Sequence, residues 1–252
     1  DETTLKVTAD VSADTKDVTV SAGGRFLVDG STYAQMNGTF KVADGGLLEI
    51  ASGTFLFSDD VSNSKRFEIG KDGKLKVTGG TFEHNVNISG NPTMTPFAEG
   101  SSVEISGTAT MKLSAGTDKS GGYAYCRGSL GMKEKAKLIE EYLYFEAAVG
   151  ASRTNYVTVA DEASIAFTDT PWLYCGNEYN NGGWLVLDFS TSGHFYLGAS
   201  GTSRMTLHGG SLTVVGQPDV GCQNGWGMLR LEDGAVFDAN ANQYAFVGNT
   251  ST

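Results

Sequence analysis

Proline is scarce in this chain, 4 in 252 residues, and cysteine, histidine and tryptophan number 3 each. With 34 glycines beside so little proline, the composition excludes a collagen-like helix and a proline-rich linker. No apolar run approaches the roughly 20 residues of a membrane helix, so no membrane insertion is expected. Basic residues are outnumbered, 18 against 29 acidic, for a net charge of −11. That balance argues against nucleic acid and anionic membranes as partners. No signal peptide is visible, as in a mature product that starts at Asp1. No CxxC or Cys/His cluster, P-loop, nucleophile elbow or HExxH pattern is present. The sequence therefore offers no catalytic, cofactor-binding or metal-ligating set, and no cofactor is expected.

What the chain does contain is a repeat. Periods of this kind decide the fold, so they are read first. A template places an apolar residue, then a small residue four positions on, then apolar residues at six and eight. Val20, Gly24, Phe26 and Val28 fit it, as do Val42, Gly46, Leu48 and Ile50. Ile69, Gly73, Leu75 and Val77 follow, then Phe97, Ser101, Val103 and Ile105. Later copies read Val159, Ala163, Ile165, Phe167 and Phe189, Gly193, Phe195, Leu197. Two are imperfect: Met132, Ala136, Leu138, Glu140 and Leu231, Ala235, Phe237, Ala239. A second register runs through Cys126, Val149, Cys175, Leu197, Cys222 and Val247. Both give a unit of about 22–28 residues, with period-two alternation punctuated by Gly, Asn, Asp and Ser.

Such a unit cannot bury its apolar side alone. Coaxial stacking gives each strand a parallel neighbour about 4.8 Å away and makes the apolar positions into interior columns. The expected fold is all-β: a single-stranded parallel β-helix over 20–252, with 1–19 as an N-terminal cap or docking strand. The segment 131–150 has helix-forming composition, but its spacing leaves no spare residues, which predicts an ordinary rung. The small residue of the template is expected at a corner.

Several residue sets invite a chemical reading. Cys126, Cys175 and Cys222 recur on alternate rungs, about 9–10 Å apart by two strand spacings, too far for a disulfide. They read as small buried apolar residues. Asp44, Glu99, Glu134, Asp161 and Asp233 share one template offset, with Lys71 between the first two. A calcium ladder would use such carboxylates; a solvated acidic turn, with Lys71 compensating, is the reading favoured. Gly-Thr-Phe recurs at Gly38, Gly53 and Gly80, as ordinary strand starts rather than an ice-binding array. Trp172, Tyr179, Trp184 and Trp226 lie near amides in "CGNEYNNGGW" and "CQNGWG". They could form a carbohydrate-contacting strip, or equally fill the interior or a corner.

The stretches "FEIGKDGKLKVTGGTF" and "YLGASGTSRMTLHGGSLTVVG" resemble repeats of large bacterial surface and autotransporter-type passenger proteins with pectin-lyase-like β-helices. The resemblance covers most of the chain from about residue 18. It implies a right-handed solenoid, secretion or display at the cell surface, and a role in adhesion or surface structure. Some relatives cleave polysaccharides with clustered basic and acidic groups in a groove, and no such motif is found here. The lean repeats leave little chain for a cleft, so the expectation is a non-enzymatic structural or adhesive protein, with a polysaccharide-binding or polysaccharide-cleaving protein as the alternative. The closing "FVGNTST" matches the opening of a repeat, "YLGASGTS". Such an ending fits either a fragment of a longer array or a copy on which another subunit stacks, and the second predicts end-to-end self-association into filaments. A surface glycan is the other expected partner.

Overall fold

In the computed structural model the described backbone covers residues 3–241, except 61–62, 65, 87–92, 116–121, 127, 142, 148–155, 161–162, 169–171, 176, 182–183, 198–199, 209–210, 222–223 and 233–235. Side chains are described through residue 139, outside 61–65, 87–93, 95 and 115–127, and at 163 and 236. Every regular element among the described residues is a strand, and every pairing between them is parallel.

The strands fall into three ladders, each gaining one strand per repeat. The first ladder runs Thr3–Val7, Gly24–Val28, Leu47–Ile50, Lys74–Val77, Ser102–Ile105 and Ser129–Met132, and continues to Asn224–Glu232. The second runs Val11–Ser12, Ser31–Met36, Gly53–Asp59, Thr81–Val86, Thr110–Ala115 and Lys137–Glu141, and continues to Val236–Ala241. The third runs Asp17–Val20, Thr39–Val42, Phe67–Ile69, Thr93–Phe97, Gly122–Cys126, Leu143–Ala147 and Trp172–Cys175. Trp184–Leu197 and Ser211–Gly221 each cross from the second ladder into the third, joining the two as one sheet.

Register shows the period directly. In the first ladder Leu5, Phe26, Leu48, Leu75, Val103, Leu130, Val157 and Glu178 align, in steps of 21 to 28 residues. The described residues of the segment 131–150 lie in Ser129–Met132, Lys137–Glu141 and Leu143–Ala147 and the turn between the first two, with no helix among them, in keeping with its spacing. Residues 3–20 supply one strand to each ladder, so the expected cap or docking segment holds the first position in all three. The closing stretch 242–252 lies outside the described residues.

The template proves to mark more than one corner. Its first four copies turn from the third ladder into the first, through hydrogen-bonded turns such as Gly24 N to Ser21 O, 2.8 Å, and Gly46 N to Ala43 O, 2.8 Å. Met132–Glu140, Val159–Phe167 and Leu231–Ala239 instead turn from the first ladder into the second. Phe189–Leu197 lies within one strand at the crossing from the second to the third. The same spacing suits each bend because each needs an apolar residue either side of a crowded small one. A Cβ on Gly46 would lie 2.5 Å from the Val20 carbonyl oxygen. Ala109, Ala136 and Ala163 at the other corner are fully buried with room for a methyl. The second register also needs one correction: Cys126 aligns with Ala147, not Val149. Val149, Cys222 and Val247 lie outside the described residues.

The interior is one apolar cluster fed by all three ladders. Leu75 is buried there between Leu48 and Val103, and Ile165 takes the register of buried Leu138. Aromatic rings form its N-terminal spine. Tyr33 stacks on Phe55 at 5.3 Å and Phe55 on Phe82 at 5.6 Å along the second ladder. Phe40 of the third ladder meets Phe55 edge-on at 4.9 Å and Phe26 of the first at 5.2 Å. Each such pair adds roughly 0.5–1.5 kcal/mol beyond its buried area.

Candidate functional site

One face of the third ladder changes character along the chain. In the early strands the buried positions are Phe40, Val42, Phe67 and Ile69. The alternating positions carry polar groups: Thr19, Lys41 and Glu68 align, with Lys41 Nζ 3.8 Å from a Glu68 carboxylate oxygen. Asp17 accepts hydrogen bonds from the Thr39 hydroxyl, 2.7 Å, and amide, 3.0 Å, which hold its carboxyl below the usual range.

Further along, the strands read Tyr-Ala-Tyr-Cys (123–126), Tyr-Phe-Glu-Ala (144–147), Trp-Leu-Tyr-Cys (172–175) and His-Phe-Tyr-Leu (194–197). They are consecutive neighbours. Ala124, Phe145, Leu173 and Phe195 continue the column of buried Met94. Cys126, Ala147, Cys175 and Leu197 continue that of buried Phe97. Strand residues alternate between faces, so the intervening columns fall on the opposite face. One is Tyr123, Tyr144, Trp172 and His194. The next is Tyr125, Glu146, Tyr174 and Tyr196. Asp219 and Gly221 extend the two columns by one strand.

Of the four aromatics that could form a glycan-contacting strip or fill the interior or a corner, Trp172 belongs to these columns. Tyr179 sits in the first ladder between Thr158 and Thr206. Trp184 begins its strand in the second ladder, between Ser164 and Ser211. Trp226 pairs with Thr202 in the first. Their side chains lie outside the described residues. Of the columns' tyrosines, Tyr174 adjoins the amide-rich "CGNEYNNGGW", whereas Tyr123, Tyr125, Tyr144 and Tyr196 have no such context to mark them. The signal that finds them is the aromatic–apolar–aromatic–apolar quartet recurring at the repeat spacing, with Glu146 in place of the second aromatic in one copy.

The remaining sets resolve as follows. Cys126 and Cys175 lie in one column with Ala147 between them. Two strand steps separate them by about 9–10 Å. Asp44 and Glu99 are exposed at the corner from the third ladder to the first, whereas Glu134 is exposed at the corner from the first to the second. They do not stack as one carboxylate ladder; Glu134 accepts the Gly107 amide at 2.6 Å. Asp161 and Asp233 lie outside the described residues. Thr54 and Thr81 are aligned, with Thr32 and Thr110 completing one half-buried column of the second ladder. The nearest column on the same face is Ala34, Leu56, Glu83 and Lys112, so no paired threonine array forms there. Thr39 belongs to the third ladder.

Two polar features are built into the structure. Arg66 donates to Asp59, 3.1 Å, Asp60, 3.2 Å, and Asn37, 3.2 Å, tying a corner around the buried Asp59 carboxylate. His84 is fully buried, with the Phe57 and Phe67 rings 5.4 and 5.2 Å away. Neither of its ring nitrogens has a hydrogen-bond partner among the described residues, and burial pushes its pKa down to about 3. Among the described residues no group of three or more His, Cys, Asp or Glu gathers as a metal site. Neither a family model, nor a curated protein, nor a solved structure matches this chain.

Proposed function

We propose that this chain is a secreted or cell-surface right-handed parallel β-helix with a structural or adhesive role and no enzymatic activity. The observation that supports it most is the leanness of its ladders. Four successive passages from the third ladder to the first use four-residue turns: Ser21–Gly24, Ala43–Gly46, Gly70–Gly73 and Ala98–Ser101. Enzymes need loops that build a cleft, and these turns contribute none. The strands run in parallel register through ten strands of the first ladder, the arrangement expected of a load-bearing rod. Electron microscopy tests the shape, with a rod as the expected image and a compact globule as the refuting one. A reducing-end assay on neutral and acidic glycans tests the activity: robust turnover would replace this reading with a polysaccharide-cleaving one.

End-to-end self-association is a second reading, favoured by one observation. Leu5 and Val11 occupy the registers of buried Phe26 and Tyr33, yet are 61 % and 40 % exposed. Either preceding chain of a longer array or a second copy stacked on this edge would cover both, and a second copy would extend the ladders without closure, giving filaments. Sedimentation velocity decides it: concentration-dependent growth that Leu5→Asp abolishes is expected, and a strict monomer at high concentration rules it out.

A further inference from the structure

The aromatic columns of the third ladder are hard to explain as packing. In Thr39–Val42 the aromatic residue, Phe40, holds a buried position, and Thr39 and Lys41 alternate with it. In the quartets of the later strands the buried registers hold Ala124, Cys126, Ala147 and Cys175 among them, while tyrosine and tryptophan take the alternate register. Those registers also hold Phe145, Leu173, Phe195 and Leu197, so the aromatics confined to the alternate register are the tyrosines and Trp172. A core requirement does not produce that placement. Tyrosine and tryptophan, rather than leucine or isoleucine, are the residues that join an apolar ring to a polar edge.

We propose that this face binds a neutral polysaccharide chain, with Tyr123, Tyr144 and Trp172 in one column and Tyr125, Tyr174 and Tyr196 in the next as its platform. The inference rests on the adhesive reading above and names the ligand class. Pyranose rings present apolar C–H faces and polar hydroxyl edges, which suits columns that combine aromatic residues with the polar Glu146 and His194. The columns run along the ladder at about 4.8 Å per strand, a periodic track for a periodic polymer. Charge selects among glycans. The columns hold no lysine or arginine, Glu146 and Asp219 lie within them, and the chain carries −11 overall. An anionic polymer would be repelled.

The test is affinity electrophoresis and calorimetry of the full chain against hydroxyethyl cellulose, xyloglucan, mixed-linkage β-glucan and galactomannan, with polygalacturonate and hyaluronate as anionic comparisons. Retardation by at least one neutral polymer and by neither anionic one is expected. Trp172→Ala and Tyr174→Ala should each weaken binding about threefold to tenfold, as loss of one stacked ring does, while Glu104→Ala, exposed in the first ladder, leaves it unchanged. Should an alanine variant melt early, footprinting of the wild-type protein decides the matter instead: bound glycan should protect Tyr144, Tyr174 and Tyr196 from hydroxyl-radical oxidation. No binding to any neutral polymer, preference for an anionic one, or column variants that alter only self-association would each overturn the proposal. Micrographs of the same samples keep the two ideas apart, since rods without glycan binding sink the ligand and leave the solenoid.

Discussion

His84 is a sensitive probe of the interior because it is a titratable group where none is needed. It occupies the column of Phe57 and Leu113, fully buried, with both ring nitrogens lacking partners among the described residues. The unfolded imidazole takes a proton near its ordinary pKa of 6.5, whereas the folded one resists until about 3. Between those values the unfolded state binds more protons, so stability falls as pH falls through that window. Each pH unit below 6.5 removes about 1.4 kcal/mol, so acidification to about pH 4.5 removes on the order of 2–3 kcal/mol through this residue alone. His84→Leu, close in volume and without polar atoms, should remove that dependence. At pH 7.5 it should leave the protein at least as stable, by up to about 1–3 kcal/mol, because it deletes unsatisfied buried groups. Urea denaturation of both proteins at pH 7.5 and 4.5, followed by circular dichroism, measures it. Carboxylates elsewhere titrate alike in both proteins and cancel in the comparison. Equal loss of stability on acidification in the two would refute the placement of His84 in a dry, partnerless core.

Three further outcomes follow from the same geometry. Leu75→Asp should abolish the cooperative melt, since an unpaired carboxylate between Leu48 and Val103 costs several kcal/mol; a native melting curve would show the register to be wrong. Gly53→Ala should destabilise far more than Gly45→Ala in denaturant titrations, although both glycines have positive φ, +83° and +84°. At Gly53 a Cβ would lie 2.1 Å from the Ser31 carbonyl oxygen, and at Gly45 it meets open space. The strain shared by both is roughly 1–2 kcal/mol, so equal costs would contradict the packing at Ser31. Thiol titration of denatured, unreduced protein should return all 3 cysteines, because Cys126 and Cys175 stand two strands apart in one column; a smaller count would reveal a disulfide.

The repeat is legible in sequence because period-two burial leaves its mark on every strand. Val20, Val42, Ile69 and Phe97 do form one column, as their shared spacing indicates. Which corner a copy belongs to is not legible. Apolar–small–apolar satisfies any bend at which a backbone passes close to a carbonyl below it, so Val20–Val28 and Val159–Phe167 look alike while turning between different ladders. Val149 fails as the partner of Cys126 for a related reason. Alternate residues suit a register equally well, and the Cα pairing with Ala147 rests on how many residues the preceding corner takes up. The same ambiguity makes the five acidic residues look like one ladder, when Glu134 belongs to a different corner from Asp44 and Glu99.

The proposed glycan-binding face is hidden by a different limit. Nearness along the chain suggests Trp172, Tyr179 and Trp184 as one strip, but a repeat of 21 to 28 residues visits three ladders. Tyr179 lies seven residues past Trp172 and already belongs to the first ladder, and Trp184 to the second. In a stacked chain the neighbours that make a surface are one whole repeat away. Tyr123, Tyr144, Trp172 and His194 are separated by 21, 28 and 22 residues, yet they are adjacent in register. The proposed ligand, spanning several strands, would therefore read a property dispersed through the sequence, the residues that fill the alternate register of each quartet. The backbone pairing does not depend on which residues fill the alternate register. This is how one repeated unit presents Thr39 and Lys41 on an early strand and tyrosines with a tryptophan on the later ones.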